Sequence, residues 1–185
     1  MEIRTDVEWI GTWLALVSAQ TAYFKIGRST MKKQRKQKAD ATITLRLWTP
    51  AGAMKIVPYL RSLGQSLRDA WLELRQARLT AERAAARPGK PDRASLIQAE
   101  ESERALHQAE ARLEEVVQEM LPLSAFGVDP ARGLIVLPWL ANGTLAWFVF
   151  DLFEPQGIVA WRLHSDPIEM RRPLTEIPEP LPQAG

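Results

Sequence analysis

The 185-residue chain reads as an α+β fold, with a long antiparallel helical hairpin followed by a small three-stranded antiparallel sheet. Three observations predict it. Apolar residues recur at heptad spacing through two long charged stretches. Those stretches are separated by Arg87-Pro88-Gly89-Lys90-Pro91-Asp92, a break that no helix crosses. After Gly127 the period shortens, and Asn142-Gly143, a strong hairpin signal, joins two β-prone runs. A content of 46% hydrophobic and 25% charged residues is that of a globular protein, which excludes a collagenous, mucin-like or wholly disordered chain.

Residues 1–47 are expected to be an extension and basic arm, either disordered or preceding the true start. Trp9–Phe24 is uncharged and moderately apolar, but too short and polar for a spanning helix. Its acidic flank (Glu2, Asp6, Glu8) is the wrong sign for a secretory signal, although Val17-Ser18-Ala19 resembles a cleavage site. An interfacial helix through Trp9, Trp13, Leu14 and Leu16 is one alternative; the preferred reading is that translation starts at Met31. From Lys25 to Lys38 there are seven basic residues and no acidic one, so Lys32, Lys33, Arg35, Lys36 and Lys38 read as a solvated arm.

The folded domain is expected over 48–174. Thr49-Pro50 opens its first helix, because Thr caps free amides and Pro is tolerated at the first helical position. The heptad seam then carries Ala53, Leu60, Leu67, Leu74 and Ala81 at one position. At the other it carries Ile56, Leu63, Ala70, Ala77 and Ala84, with Pro58 placed to kink the start. The second helix repeats the pattern with Ala99, Leu106, Leu113 and Met120 alongside Ala109 and Val116, and Pro122 ends it. Pairing Leu67 with Leu113, Leu74 with Leu106 and Ala81 with Ala99 matches large with large and small with small in a hairpin about 50 Å long. Charge agrees: Thr49–Lys90 holds eight basic and three acidic residues, Pro91–Ser124 three and eight.

The sheet is read as strands Leu134–Pro138, Thr144–Phe153 and Ile158–His164, with Pro138 at an edge or bulge. Its middle strand is apolar on both faces, Leu145, Trp147 and Val149 alternating with Ala146, Phe148 and Phe150. One face can cover the hairpin; the other asks for a partner, a ligand or a second subunit, which makes Trp147, Phe148 and Phe150 a candidate interface. Residues 175–185 read as a Pro-rich, unstructured tail.

Chemistry is sparse. Zero Cys excludes disulfides, thiolate metal sites and thiol nucleophiles. No Gly-x-Ser-x-Gly elbow or Gly-rich phosphate loop is present. His164, Asp166 and Glu169 form the one compact set of metal-ligand types, at a spacing that matches no established site, so no metal or other cofactor is expected. His107 follows a seam leucine and should face solvent. Glu154, Trp161, Arg162 and Arg172 are a candidate anion or ligand site, since arginine forks bind carboxylates and phosphates; structural pairing of those arginines with Glu154, Asp166 or Glu169 is the plainer reading.

Several elements resemble an uncharacterised bacterial family filed as domain of unknown function 2203. They are Trp48-Thr49-Pro50-Ala51 through Ile56-Val57-Pro58-Tyr59-Leu60, then Gly127-Val128, Arg132-Gly133-Leu134, Leu137-Pro138, Leu152, Glu154-Pro155, Trp161 and Arg172-Pro173-Leu174. The resemblance spans roughly Trp48 to Leu174 and implies the same fold of two long charged helices and a closing sheet. It departs where the family has Asp, Gly and His: Val136, Phe153 and Arg162 stand there. Any acid–imidazole chemistry of the family is thereby lost.

The functional expectation is a non-enzymatic, cytoplasmic protein-interaction or self-association module, with a protein partner or a second copy. Alternatives are a nucleic-acid- or ribosome-associated accessory protein acting through Lys32–Lys38, and a small-anion binder or enzyme at the sheet.

Overall fold

The computed structural model describes residues 44–86, 92–167 and 169–178. Residues 1–43 of the extension, with the Met31 start and the basic arm, therefore lie outside the described residues, as do 87–91 and the tail from 179, whereas Arg46 of that stretch is described and donates its backbone N–H to Ser124 Oγ at 2.8 Å.

Trp48 anchors the segment that leads into the first helix. Trp48 donates its backbone N–H to the Pro138 carbonyl (2.8 Å) and its indole N–H to the Leu123 carbonyl (2.8 Å). The Arg46 guanidinium lies over its ring at 4.4 Å. Thr49 then caps α1 (Pro50–Lys55), its hydroxyl accepting the Gly52 N–H at 3.1 Å, with Pro50 in the first turn. Pro58 has no N–H to continue that helix, and the chain breaks at Ile56 before α2 (Val57–Ala85). The expected kink is a full helix boundary. Asp92 caps α3 (Arg93–Met120) by accepting the Ser95 N–H at 2.8 Å.

α2 and α3 pack as the antiparallel hairpin. Contacts run in opposite senses along the two helices: Tyr59 donates to Glu119 (2.7 Å), Arg112 to Glu73 (2.8 Å), and Arg78 pairs with Glu110 (3.7 Å). The seam is the expected one. Leu60, Leu63, Leu67, Ala70 and Leu74 are buried on α2, and Leu106, Ala109, Leu113, Val116 and Met120 on α3. At 1.5 Å per residue the 29 residues of α2 span about 43 Å.

The sheet has five strands, not the three expected. They run in sequence order as an antiparallel meander: β1 (Phe126–Asp129), β2 (Leu134–Ala141), β3 (Thr144–Asp151), β4 (Ile158–Leu163) and β5 (Arg172–Pro173). The two added strands are short edges without alternation, one containing Gly127 and the other Pro173, so periodicity could not reveal them. β2 also runs through Pro138 rather than ending there. Because Pro138 turns its carbonyl to Trp48, its ring nitrogen faces that same edge, past the last residue paired with β1, and the missing N–H leaves no gap in the β2–β3 ladder. Asn142 and Gly143 take positive φ in the expected hairpin turn.

The hairpin packs on one face of this sheet through Ile135, Leu137, Trp139, Phe148, Phe150 and Ile158. Gly64 lets α2 come close: a methyl there would stand 3.3 Å from the Phe150 ring. Arg61 fastens the β3–β4 turn to α2, donating to the carbonyls of Leu152, Glu154 and Pro155 at 3.0–3.3 Å. The tail is ordered further than expected. The turn Leu174–Glu176 follows β5, and Leu174 and Ile177 pack against the core.

Candidate functional site

The residues singled out from sequence separate into three places. Trp147, Phe148 and Phe150 are fully buried within the single chain and present no surface to a partner. Phe148 stacks on Trp139 (centroids 4.7 Å apart) on the helix-facing side, while Trp147 meets Phe126 edge-on at 6.0 Å on the other. The apolar character of β3 is core-forming on both faces.

Glu154, Trp161, Arg162 and Arg172 do not form one site. Glu154 sits in the turn before β4, where its backbone carbonyl accepts from Arg61 and from the Gly157 N–H, and the other three gather at the far end of that strand. There Asp166 is the hub. Its carboxylate accepts the Leu163 N–H (3.0 Å) and both forks of Arg172 (3.0 and 3.3 Å), while its carbonyl accepts Arg162 Nη1 (2.7 Å). Arg172 also lies over the Trp161 ring at 5.3 Å, and Trp161 donates to the Pro173 carbonyl. Burial lowers the pKa of Arg162, opposed by the charges of Asp166 and Glu169. The plainer reading of these arginines, structural pairing with Asp166, is the one realised for Arg172.

His164 is likewise engaged, its Nδ1 accepting the Trp147 indole N–H at 3.0 Å. Among the described residues no group of three His, Cys, Asp or Glu is arranged to hold a metal ion. The positions at which the chain departs from the resembled pattern fall apart too. Val136 and Arg162 lie on the sheet face turned away from the helices, and Phe153 is exposed in the β3–β4 turn. Lys32, Lys33, Arg35, Lys36 and Lys38 lie outside the described residues.

The feature that sequence reasoning missed is the outer face of the hairpin. Beyond Leu74 the seam holds only Ala77, Ala81 and Ala84 on α2, and Ala99 and Ser102 on α3. Large apolar side chains point outward instead: Leu72 is 36% exposed, Leu79 40%, Leu96 57% and Ile97 48%. Small residues inside and large ones outside invert the usual arrangement of a two-helix pair. On α2 the outward residues form a stripe at i, i+4, i+7 and i+11: Arg68, Leu72, Arg75 and Leu79. Phe153, 65% exposed, extends it at the sheet end, where the Arg68 guanidinium lies 5.5 Å from its ring. On α3, Leu96, Glu100 and Glu103 share one stripe by the same spacing. The signal was present in the sequence: leucine at two successive heptad positions opposite the seam.

No family model, no curated relative and no solved structure matches this chain. The resemblance described above therefore rests on its quoted residues alone. Among the described residues, no helix is long and apolar enough to cross a membrane.

Proposed function

We propose that this protein is a non-enzymatic self-association module whose distal hairpin packs against that of a second copy. The observation that carries the reading is the inverted size pattern. An alanine–serine seam buries little apolar area, whereas Leu72, Leu79, Leu96 and Ile97 leave apolar area in water that packing against another helix pair would remove. A second copy is the occupant that fits by charge. α2 carries five arginines and three acidic residues, and α3 carries three arginines and seven glutamates. A two-fold axis then sets the Arg68–Leu72–Arg75–Leu79 stripe of each copy on the Leu96–Glu100–Glu103 stripe of the other, twice, as a four-helix layer.

Sedimentation equilibrium of the full chain, from low to high micromolar concentration, tests this. A dimer is expected. The double variant Leu72→Glu/Leu79→Glu should be monomeric with unchanged helix content, because both positions are exposed in the single chain. A wild-type chain that stays monomeric at the highest concentration overturns the proposal, as does a dimer that the double variant leaves intact.

A further inference from the structure

The sheet face turned away from the hairpin carries a recess of about 230 Å³. Its floor is aliphatic: Leu134 and Val136 from β2 and Val149 from β3, all buried. Val128 and Asp129 of β1 form one wall. Arg162, only 3% exposed, contributes its charge to another, held there by Nη1 donating to the Asp166 carbonyl. The rim is polar and consists of Arg132, Glu169 and Arg171.

The charge of this recess is uneven. Three arginines line it, Arg132, Arg162 and Arg171, against two acids, Asp129 and Glu169. The carboxylate of nearby Asp166 is bound by Arg172 and the Leu163 N–H. One oxygen of Asp129 is turned back to accept the Arg132 backbone N–H at 3.2 Å, closing the β1–β2 turn. Neither the Arg132 nor the Arg171 side chain enters an ion pair among the described residues. A surplus of one positive charge among the lining residues thus stands over an aliphatic floor. The volume lies below the roughly 300–1,000 Å³ of clefts for drug-sized ligands, which restricts the occupant to a small molecule.

We infer that this recess binds a small monoanionic organic acid, its carboxylate held by the rim guanidiniums of Arg132 and Arg171 and its aliphatic body laid on Leu134, Val136 and Val149. Arginine suits the rim because its planar fork matches a carboxylate with two parallel hydrogen bonds. Valine and leucine suit the floor because they offer no polar atom, so an anion without an apolar body, such as inorganic phosphate, would gain only the rim.

The test is calorimetric titration of the full chain with hexanoate, hexanol and inorganic phosphate, each also with the variant Arg132→Ala/Arg171→Ala. Both arginines are exposed, so the variant should fold, and an unchanged far-UV spectrum and melting temperature would establish that it does. Hexanoate should bind best, and the variant should weaken it by about tenfold or more, the loss of a charge-assisted pair. Hexanol binding as tightly as hexanoate overturns the inference, since the rim would then be idle. Phosphate binding as tightly also overturns it, as does the absence of hexanoate binding or a variant that binds hexanoate unchanged. None of these outcomes depends on the oligomeric state, which sedimentation reads separately.

Discussion

The two halves of the hairpin share one heptad and are held by different means. Near the sheet the seam is leucine, and the sheet stands behind it as a second layer: Gly64 brings α2 against Phe150, Ile135 and Leu152. In the distal half the seam is alanine and serine, and from Arg75 to Ala85 every α2 residue outside the seam except Arg78 is exposed. Burying a leucine contributes about 2 kcal/mol, an alanine far less. Periodicity therefore sets which face is inside along the whole length. The size of the residues on that face, and the presence of a further layer, decide how firmly each half is held.

The largest effect should come from the proximal half. Leu63→Ala empties a fully buried site in the leucine half of the seam and is expected to cost about 3 kcal/mol, within the 2–5 typical of such truncations, by urea unfolding. A loss below 1 kcal/mol would break the comparison. Next comes the joint between α2 and the sheet. Gly157 has φ 76° and stands so close to Val57 that an added methyl would lie 2.6 Å from its Cγ1. Gly157→Ala should cost about 2 kcal/mol by thermal unfolding, from the left-handed backbone and the crowding together.

Distal changes should be smaller and local. Asp92→Ala removes the cap of α3 and is expected to cost about 1 kcal/mol. Amide exchange should accelerate at the start of α3 while the leucine half stays protected, because regions with few buried contacts open on their own. Uniform acceleration along both helices would show that the hairpin unfolds as one unit. Smallest of all is Tyr59→Phe, which deletes an exposed hydrogen bond to Glu119 and should cost about 0.5 kcal/mol. That bond raises the Tyr59 pKa above its ordinary 10.0, since Glu119 holds the neutral phenol as donor, with desolvation and the Glu119 charge adding to it. A raised pKa means that the contribution is complete below pH 10.0 and is lost as pH climbs through the folded value, so the wild-type advantage over Tyr59→Phe should vanish only in strong alkali.

Local rules account for what was legible. The Thr49 cap, the Asn142-Gly143 turn and the heptad each act within a few residues of sequence, and the structure contains them where the sequence places them. The two edge strands were not legible. Phe126–Asp129 and Arg172–Pro173 are strands because β2 and β4 offer them open edges, not because their own residues demand it. The candidate sites were less legible still. Trp147, Phe148 and Phe150 have the composition of an interface, and burial on both faces made them core. Arg172 is chemically fit for an anion, and Asp166 occupies it. The cavity draws on β1, β2, β3, β4 and the loop that carries Glu169 and Arg171, a set no short motif could announce.

The sequence by itself determined the hairpin, its direction and its seam, because helical periodicity and charge blocks are properties of neighbours along the chain. Tertiary structure decided which apolar faces stay exposed and which arginines keep a rim position. Those outcomes depend on what packs across from each residue, and residues as distant as Arg46 and Ser124, or Arg61 and Pro155, meet only in the folded chain.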